Sequence, residues 1–176
     1  QGSYKDMCIS KEVSDLKAVI QHVKKDYQKI IYIGHSMGAA VGALVVANDQ
    51  LGDIVAMVSL AGMVNTLTFC ETEFGNQVPD DSYMWDDMNC PLTQVFVDDL
   101  TQIKTILPAV EQVETPWLLI HGSADDVVLP IDSEQLYQQL KSARTKIMIP
   151  DADHSFSEHQ PQVVSAIEEF LDTQII

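Results

Sequence analysis

The sequence predicts an α/β fold in three layers, with helices covering both faces of a mostly parallel sheet. Short apolar runs that favour β-strands alternate with longer segments of helical periodicity, and this alternation is typical of parallel strands joined by crossover helices. Residue types that carry chemistry follow the ends of several predicted strands, where open parallel sheets place their sites. The 176 residues, 46% of them hydrophobic, suffice for a single core, so we expect one domain over residues 1–176.

Four strands and four helices are predicted, with one long insert between the second and third strands. Runs rich in isoleucine, leucine and valine predict strands at 29–33, 54–60, 116–121 and 145–149. Apolar residues at helical spacing predict helices at about 11–27, 37–48, 132–142 and 160–173. Ser10 and Asp132 stand where side chains often cap a helix N-terminus, and we expect them to cap the first and third helices.

The most specific motif is a glycine-rich turn between the first strand and the second helix. It reads Gly34-His35-Ser36-Met37-Gly38, after a run of β-formers and before small residues that let a helix pack closely on a sheet. This context favours a nucleophile elbow, in which a serine hydroxyl is exposed at a helix N-terminus and free backbone N–H groups can bind an oxyanion. Met37 would donate one of these N–H groups. A glycine-rich turn without catalytic function is the alternative.

A serine nucleophile needs a base, and the base needs an acid that orients it. Asp125 and Asp126 follow the third predicted strand, and His154 follows the fourth. The order serine, acid, histidine is the one found with nucleophiles on strand–turn–helix elbows. Asp126 is the rival to Asp125 for the orienting role. Asp153, beside the histidine, could raise its basicity.

Two further histidines lie close to these candidates. His35 precedes the serine, and because alternate side chains on such a turn point away from each other, we interpret it as structural. His121 ends the third predicted strand and is expected to hydrogen-bond the Asp125 turn rather than to take part in catalysis.

The motifs together resemble the α/β-hydrolase superfamily, in particular its monoacylglycerol-lipase-like, serine-aminopeptidase-like and cinnamoyl-esterase-like members. They are the turn from Gly34 to Gly38, the run His121-Gly122-Ser123-Ala124-Asp125, and the run Asp153-His154-Ser155-Phe156. The resemblance implies the α/β-hydrolase fold, in its C-terminal portion, and a catalytic triad of Ser36, Asp125 and His154. It covers nearly the whole chain and is weakest between residues 63 and 114.

The insert, residues 63–114, is long for a connection and carries many aromatic and methionine side chains. In the superfamily that the chain resembles, this position holds a cap or lid over the active site. A helix packed on the body is expected in its second half, from the apolar stripe Val95, Leu100, Ile103, Ile106 and Leu107. A satellite core without substrate contact is the alternative. The candidate substrate-binding residues are Met63, Phe69 and Trp85 of the insert, and Phe156.

Complete members of this superfamily carry about four further strands before the nucleophile, and a loop after one of them supplies part of the oxyanion hole. No stretch of this chain matches that loop, so we expect the chain to begin within the fold. The strand at 29–33 would then be an unprotected apolar edge, covered by an upstream segment or by a second copy in a homodimer. With one oxyanion donor fewer, the isolated chain should be a poor catalyst.

Composition argues against several classes of function. The net charge of −16 disfavours DNA, RNA and acidic membranes as partners, because their binding needs basic patches. No apolar run reaches the length of a membrane span. No histidine–cysteine spacing or phosphate loop indicates a metal or a nucleotide, so we expect no cofactor. Three cysteines are too few for a disulfide framework, and a cytoplasmic location is expected.

These observations predict a serine hydrolase that cleaves small carboxylic esters, with a short or cinnamoyl-like acyl group, through an acyl-enzyme. An aminopeptidase-like serine peptidase is the alternative among enzymes. A non-catalytic binding module of the same fold is the alternative outside them, and it is favoured if the missing oxyanion loop never existed.

Overall fold

A four-stranded parallel sheet forms the centre of the computed structural model, which describes residues 2–48 and 54–175. In chain order the strands are β1 (Ile30–His35), β2 (Ile54–Leu60), β3 (Ser82–Tyr83), β4 (Pro91–Leu92), β5 (Trp117–Gly122) and β6 (Arg144–Ile149). The α-helices are α1 (Ile9–Val23), α2 (Met37–Asn48), α3 (Thr66–Phe74), α4 (Gln94–Ile103), α5 (Leu107–Val110), α6 (Ile131–Gln139) and α7 (Gln160–Ile175). Strands β1, β2, β5 and β6 pair in that order, all in parallel, as the alternation of elements predicts.

Two hydrophobic cores lie on opposite faces of the sheet and define the three layers. One core joins α1, α2, α6 and the insert to a sheet face that includes Met57, Trp117 and Leu119. The other joins α7 to the opposite face, where Val58 and Leu118 are fully buried. Because side chains alternate along a strand, each of β2 and β5 supplies both cores. This explains why every residue of β5 is buried.

The predicted helices are present, but the first one begins and ends earlier than expected. The helix begins at Ile9 after Cys8, which makes no side-chain capping bond, and it ends at Val23 rather than near 27. Ser10 is therefore not the N-cap. Its backbone N–H donates to Asp99 Oδ2 at 3.0 Å, and its hydroxyl donates to the other oxygen of the same carboxylate. A side chain of α4 thus satisfies the N-terminal turn of α1.

The expected cap of the third helix is also wrong. Pro130 occupies the N-cap of α6, and Asp132 lies inside the first turn, almost fully buried. Its carboxylate accepts from the backbone N–H groups of Val64 at 2.7 Å and Asn65 at 3.0 Å. A buried carboxylate needs such donors, so Asp132 fastens the start of the insert to the body instead of capping its own helix.

The insert contains two helices, an antiparallel pair of short strands and a short third helix. Its side chains Phe69, Phe74 and Phe96 belong to the same core as α1 and α2, so the insert is not a satellite with a core of its own. The predicted single helix through residue 107 is wrong, because α4 ends at Ile103 and Lys104 takes a left-handed φ of 63°. Within the predicted stripe, Leu100 and Ile106 are buried but Val95 is 54% exposed.

Strand β1 lies at one edge of the described sheet. Its Ile31 and Ile33 side chains are 38% and 48% exposed, on the face opposite to Tyr32. The expectation that another segment or a second copy covers this strand stays a prediction. Within residues 2–48 and 54–175, we find no helix with the length and apolar character that crossing a bilayer requires.

Glycines set how closely α2 packs on β1. A Cβ at Gly34 would lie 2.6 Å from the carbonyl oxygen of Gly38, and a Cβ at Gly42 would lie 2.1 Å from the ring of Tyr32. Both positions therefore require glycine for a close approach of helix and strand. Gly38 is not constrained in this way, because a Cβ there would meet nothing nearer than the Tyr32 hydroxyl at 3.9 Å.

Replacing Gly42 and Gly38 by alanine should therefore have opposite effects on stability. We expect Gly42→Ala to lower the free energy of unfolding by about 1–3 kcal/mol, because the new methyl overlaps the Tyr32 ring. Gly38→Ala, on the same helix, should be neutral or raise it by up to about 1 kcal/mol, because alanine favours a helix over glycine. Urea unfolding measures both. The Gly42→Ala loss should shrink in a Tyr32→Ala background, and an unchanged loss there would contradict the steric cause.

Candidate functional site

Ser36 lies between β1 and α2 with its backbone held on several sides. Its φ of 53° is left-handed, a strained conformation for a residue with a side chain. Its N–H donates to the carbonyl of Leu60 at 2.9 Å, and its carbonyl accepts from the N–H groups of Ala39 and Met63, each at 3.1 Å. The strand pairing and the first turn of α2 together hold the serine in this conformation.

Met37 is the first residue of α2, so its backbone N–H has no acceptor within the helix. Its side chain and Ser36 line one cavity. An N–H at a helix N-terminus next to a serine hydroxyl is well suited to bind a negatively charged oxygen. The sequence expectation for Met37 is compatible with this geometry.

Asp125 and His154 are in direct contact after the ends of β5 and β6. His154 Nδ1 lies 2.9 Å from Asp125 Oδ2, and because a carboxylate only accepts, Nδ1 is the donor. Asp125 Oδ1 accepts from the N–H groups of Val127 at 3.0 Å and Val128 at 2.9 Å. Asp125 is buried whereas Asp126 is exposed. The structure therefore brings Asp125, and not its rival, to the histidine.

The environment of Asp125 keeps it ionised. Burial alone would raise the pKa of this carboxyl, but the hydrogen bonds from His121, His154 and the Val128 N–H, with the charge of His154, hold its pKa well below the ordinary value. Asp153 does not reach the histidine in this way, because its carboxylate accepts from the Ser157 N–H and hydroxyl at 2.9 and 2.8 Å. These bonds to Ser157 lower the pKa of Asp153.

A cavity of about 350 Å³ opens at Ser36 and His154. It is lined by Tyr4, Met7, His35, Ser36, Met37, Met63, Phe69, Met84, Trp85, Phe96, Val127 and His154. Three of the four expected substrate contacts, Met63, Phe69 and Trp85, therefore lie in its wall. The Trp85 side chain is 57% exposed, and its indole N–H donates to Glu73 Oε2 at 3.2 Å.

Phe156 is the fourth expected contact, and the structure does not support it. Its ring is 4% exposed and belongs to the core beneath α7, with Val163 and Phe170, rather than to the cavity. Sequence reasoning also did not identify Tyr4, Met7 and Val127 as cavity residues. Tyr4 and Met7 precede α1 in a segment without periodicity, so no pattern in the sequence indicates that they approach the serine.

The two additional histidines both contact the site. His35 lines the same cavity as Ser36, and its ring centroid lies 4.7 Å from that of His154. Its Nε2 donates to the backbone carbonyl of His154 at 2.8 Å. His121 is fully buried, and as expected it contacts the Asp125 turn.

In the part of the chain that the structure describes, no cluster of ligating side chains could hold a metal ion.

Comparison with solved structures identifies the fold of the protein. It is similar to Est1E from Butyrivibrio proteoclasticus with ferulic acid bound, with a TM-score of 0.87 and 24% identity over 99% of this chain and 72% of that one. It is also similar to a monoacylglycerol lipase from Paleococcus ferrophilus, with a TM-score of 0.67 and 14% identity over 96% of this chain and 77% of that one. The α/β-hydrolase fold is thus confirmed.

The chain belongs to the prolyl oligopeptidase family, whose model matches residues 2–175, and this match confirms the resemblance to the α/β-hydrolase superfamily. It is similar to the uncharacterized protein YfhR of Salmonella typhi, with 30% identity over 154 residues, 81% of this chain and 47% of that protein. It is also similar to YfhR of Escherichia coli O157:H7, with 27% identity over 154 residues, 84% of this chain and 48% of that protein. The chain spans about half the length of these curated relatives.

The lowered pKa of Asp125 predicts a contribution to stability that depends on pH. An unfolded aspartate has a pKa of about 3.9, and in the folded chain the value lies below this. The unfolded state therefore binds protons first as the pH falls, so the contribution is full above about pH 5 and decreases progressively as the pH falls below about 4 towards the folded-state pKa. Asp125→Asn should make the urea midpoint fall less steeply between pH 6 and pH 3. The exposed Asp126→Asn is the control, and equal slopes in both variants would contradict the argument.

Proposed function

We propose that the protein is a serine hydrolase that cleaves small carboxylic esters through an acyl-enzyme, with Ser36, His154 and Asp125 as the catalytic triad. The observation that carries the proposal is the hydrogen bond between His154 Nδ1 and buried Asp125, at 2.9 Å, beside a cavity that both Ser36 and His154 line. A bond at Nδ1 leaves the other ring nitrogen, Nε2, as the acceptor of a serine proton.

The reaction would proceed in two halves. His154 Nε2 takes the proton of the Ser36 hydroxyl while Ser36 Oγ attacks the ester carbonyl, and Asp125 stabilises the imidazolium that forms. The Met37 N–H donates to the oxyanion. Collapse of the intermediate expels the alcohol, which takes the proton from His154. Water then attacks the acyl-enzyme with the same histidine as base and releases the acid.

The insert would act as a lid that shapes the acyl site. Phe69, Met84 and Phe96 of the insert line the cavity, and the indole of Trp85 lies at its exposed side. Apolar and aromatic walls suit a neutral acyl group. Est1E, which shares the fold, was found with ferulic acid bound, and this supports a short aromatic acid as one candidate. The 350 Å³ volume is at the small end for ligand cavities.

A serine peptidase is the second candidate, and the family supports it. The match to the prolyl oligopeptidase family covers nearly the whole chain, and the same triad chemistry hydrolyses amides as well as esters. An amide substrate needs His154 to protonate an amine leaving group, so the two candidates share every residue named above. They differ only in the substrate that the cavity accepts.

Trapping with a fluorophosphonate tests the proposed chemistry. The Ser36 oxygen should form a bond to phosphorus and expel fluoride, and intact-mass analysis should show one added phosphonyl group on Ser36. Ser36→Ala should remain unlabelled. Asp125→Asn should slow labelling by up to roughly 10⁴-fold, on the scale of triad variants, because it removes the orienting charge.

Asp126→Asn is the matched control for this experiment, because Asp126 is the exposed neighbour of Asp125. It should label at close to the wild-type rate. Equal losses in the two variants would show that Asp125 does not orient His154. An unlabelled wild-type protein would rule out the nucleophile itself.

A substrate panel tests the ester class. We expect hydrolysis of short nitrophenyl esters and of methyl hydroxycinnamates, with activity falling as the acyl chain becomes longer than the cavity can hold. Aminoacyl nitroanilides in the same panel represent the peptidase candidate. A strict preference for long-chain lipids, or turnover of the anilides alone, would contradict the proposed substrate class.

A further inference from the structure

His121 makes a set of contacts that the catalytic scheme does not use. It lies in β5, four residues before Asp125, and is fully buried. Its Nε2 lies 2.8 Å from the backbone carbonyl of Val128 and 3.1 Å from Asp125 Oδ2. Its Nδ1 lies 2.7 Å from the hydroxyl of Ser133, which is also buried. Both ring nitrogens are therefore engaged in a place without solvent.

These contacts determine where the proton of the ring resides. The carbonyl of Val128 and the carboxylate of Asp125 can only accept, so Nε2 must carry a hydrogen. The Ser133 hydroxyl can donate to Nδ1, so both ring nitrogens have a hydrogen-bond partner. The contacts thus run from Ser133 to His121 and on to Asp125, whose Oδ2 also receives the N–H of His154.

We propose that His121 is a positioning residue for the catalytic carboxylate, and that it weakens the hold of Asp125 on His154 by sharing the same oxygen. This inference rests on the proposed function. With the Val127 and Val128 N–H groups on Oδ1, the His121 N–H, which is shared between the Val128 carbonyl and Oδ2, holds the carboxylate plane towards His154. The same N–H also interacts with the negative charge on Oδ2. Less of this charge is then available to stabilise the His154 imidazolium.

The consequence is a defined shift in the pH dependence of the reaction. Without the His121 N–H, Asp125 Oδ2 accepts a hydrogen bond only from His154. The protonated form of His154 is then more stable, so the acid limb of the rate profile moves to higher pH. The other groups facing His154 stay in place. They are the His35 ring, Tyr4 across the cavity, and Asp153, whose carboxylate is bonded to Ser157.

The experiment compares His121→Phe, His121→Gln and Ser133→Ala with the wild-type protein. The rate of fluorophosphonate labelling of Ser36 is followed from pH 5 to pH 9, together with kcat and KM for a nitrophenyl ester. His121→Phe keeps a ring without an N–H donor, and we expect kcat to fall about tenfold with KM nearly unchanged. The midpoint of its acid limb should rise by about half a pH unit.

The other two variants separate the hydrogen bond from packing. His121→Gln restores an N–H near the position of Nε2 and should return the midpoint to the wild-type value. Ser133→Ala removes the donor to Nδ1, weakens the polarisation of the ring, and should give a smaller shift in the same direction. Thermal melting of each variant shows whether it is folded.

Several outcomes would overturn the inference. A folded His121→Phe with an unmoved midpoint, or a Gln variant shifted as far as the Phe variant, would reduce His121 to a packing residue. If His121→Phe does not fold, the test rests on Ser133→Ala. An unmoved acid-limb midpoint in that variant would then overturn the inference. A wild-type protein that is not labelled would overturn the proposed function, and the role of His121 with it. Normal labelling with unmoved midpoints would overturn only the role of His121.

Discussion

Parallel pairing of β1, β2, β5 and β6 is the constraint on which the candidate site depends. Because these strands run in one direction, their carboxyl ends share one edge of the sheet, and the segments after β1, β5 and β6 bring Ser36, Asp125 and His154 to it. The N–H of Ser36 donates to Leu60 at the end of β2, so the sheet's hydrogen bonding continues into the turn. A register slip of one residue would exchange the two faces of a strand and separate these groups.

The insert is part of this arrangement rather than an addition to it. Phe69 and Phe96 belong to the core that holds α1 and α2 on the sheet, and they also line the cavity. Two carboxylates fasten the insert at separate points, Asp132 from the body and Asp99 from the insert. The shape of the cavity is therefore coupled to the packing of the whole domain, and changes that loosen the core will also change what the cavity can hold.

Asp125 is one of two acidic residues that are buried in the described part of the chain, and the other is Asp132. Most carboxylates in so acidic a protein lower their energy by facing water. Asp125 is nearly inaccessible, and donors from the Val127 and Val128 backbone, His121 and His154 replace the lost solvent. A charge held in this way cannot reorient freely. A carboxylate of fixed orientation suits the proposed role of aligning the His154 imidazole.

Much of the architecture could be predicted from the sequence because its signals are local. Apolar runs and helical periodicity identified the four main strands and helices, and the glycines around Ser36 identified the turn. These features depend on residues only a few positions apart. The requirement for glycine at position 34 follows from the contact with the first turn of α2, five residues later at most.

Tertiary structure decided the features whose partners lie far away in the chain. Ser10 bonds Asp99 across 89 positions and Asp132 bonds Val64 across 68, so neither acts as the local helix cap that its position suggests. Phe156 follows His154 by two residues, yet its backbone is left-handed and its ring lies in the core beneath α7. By itself the sequence determined the order of elements and the candidate chemistry. The residues by themselves left Asp125 and Asp126 as rivals, and the family resemblance favoured Asp125. The fold brings Asp125 to the histidine, because it buries this carboxylate and leaves its neighbour facing water.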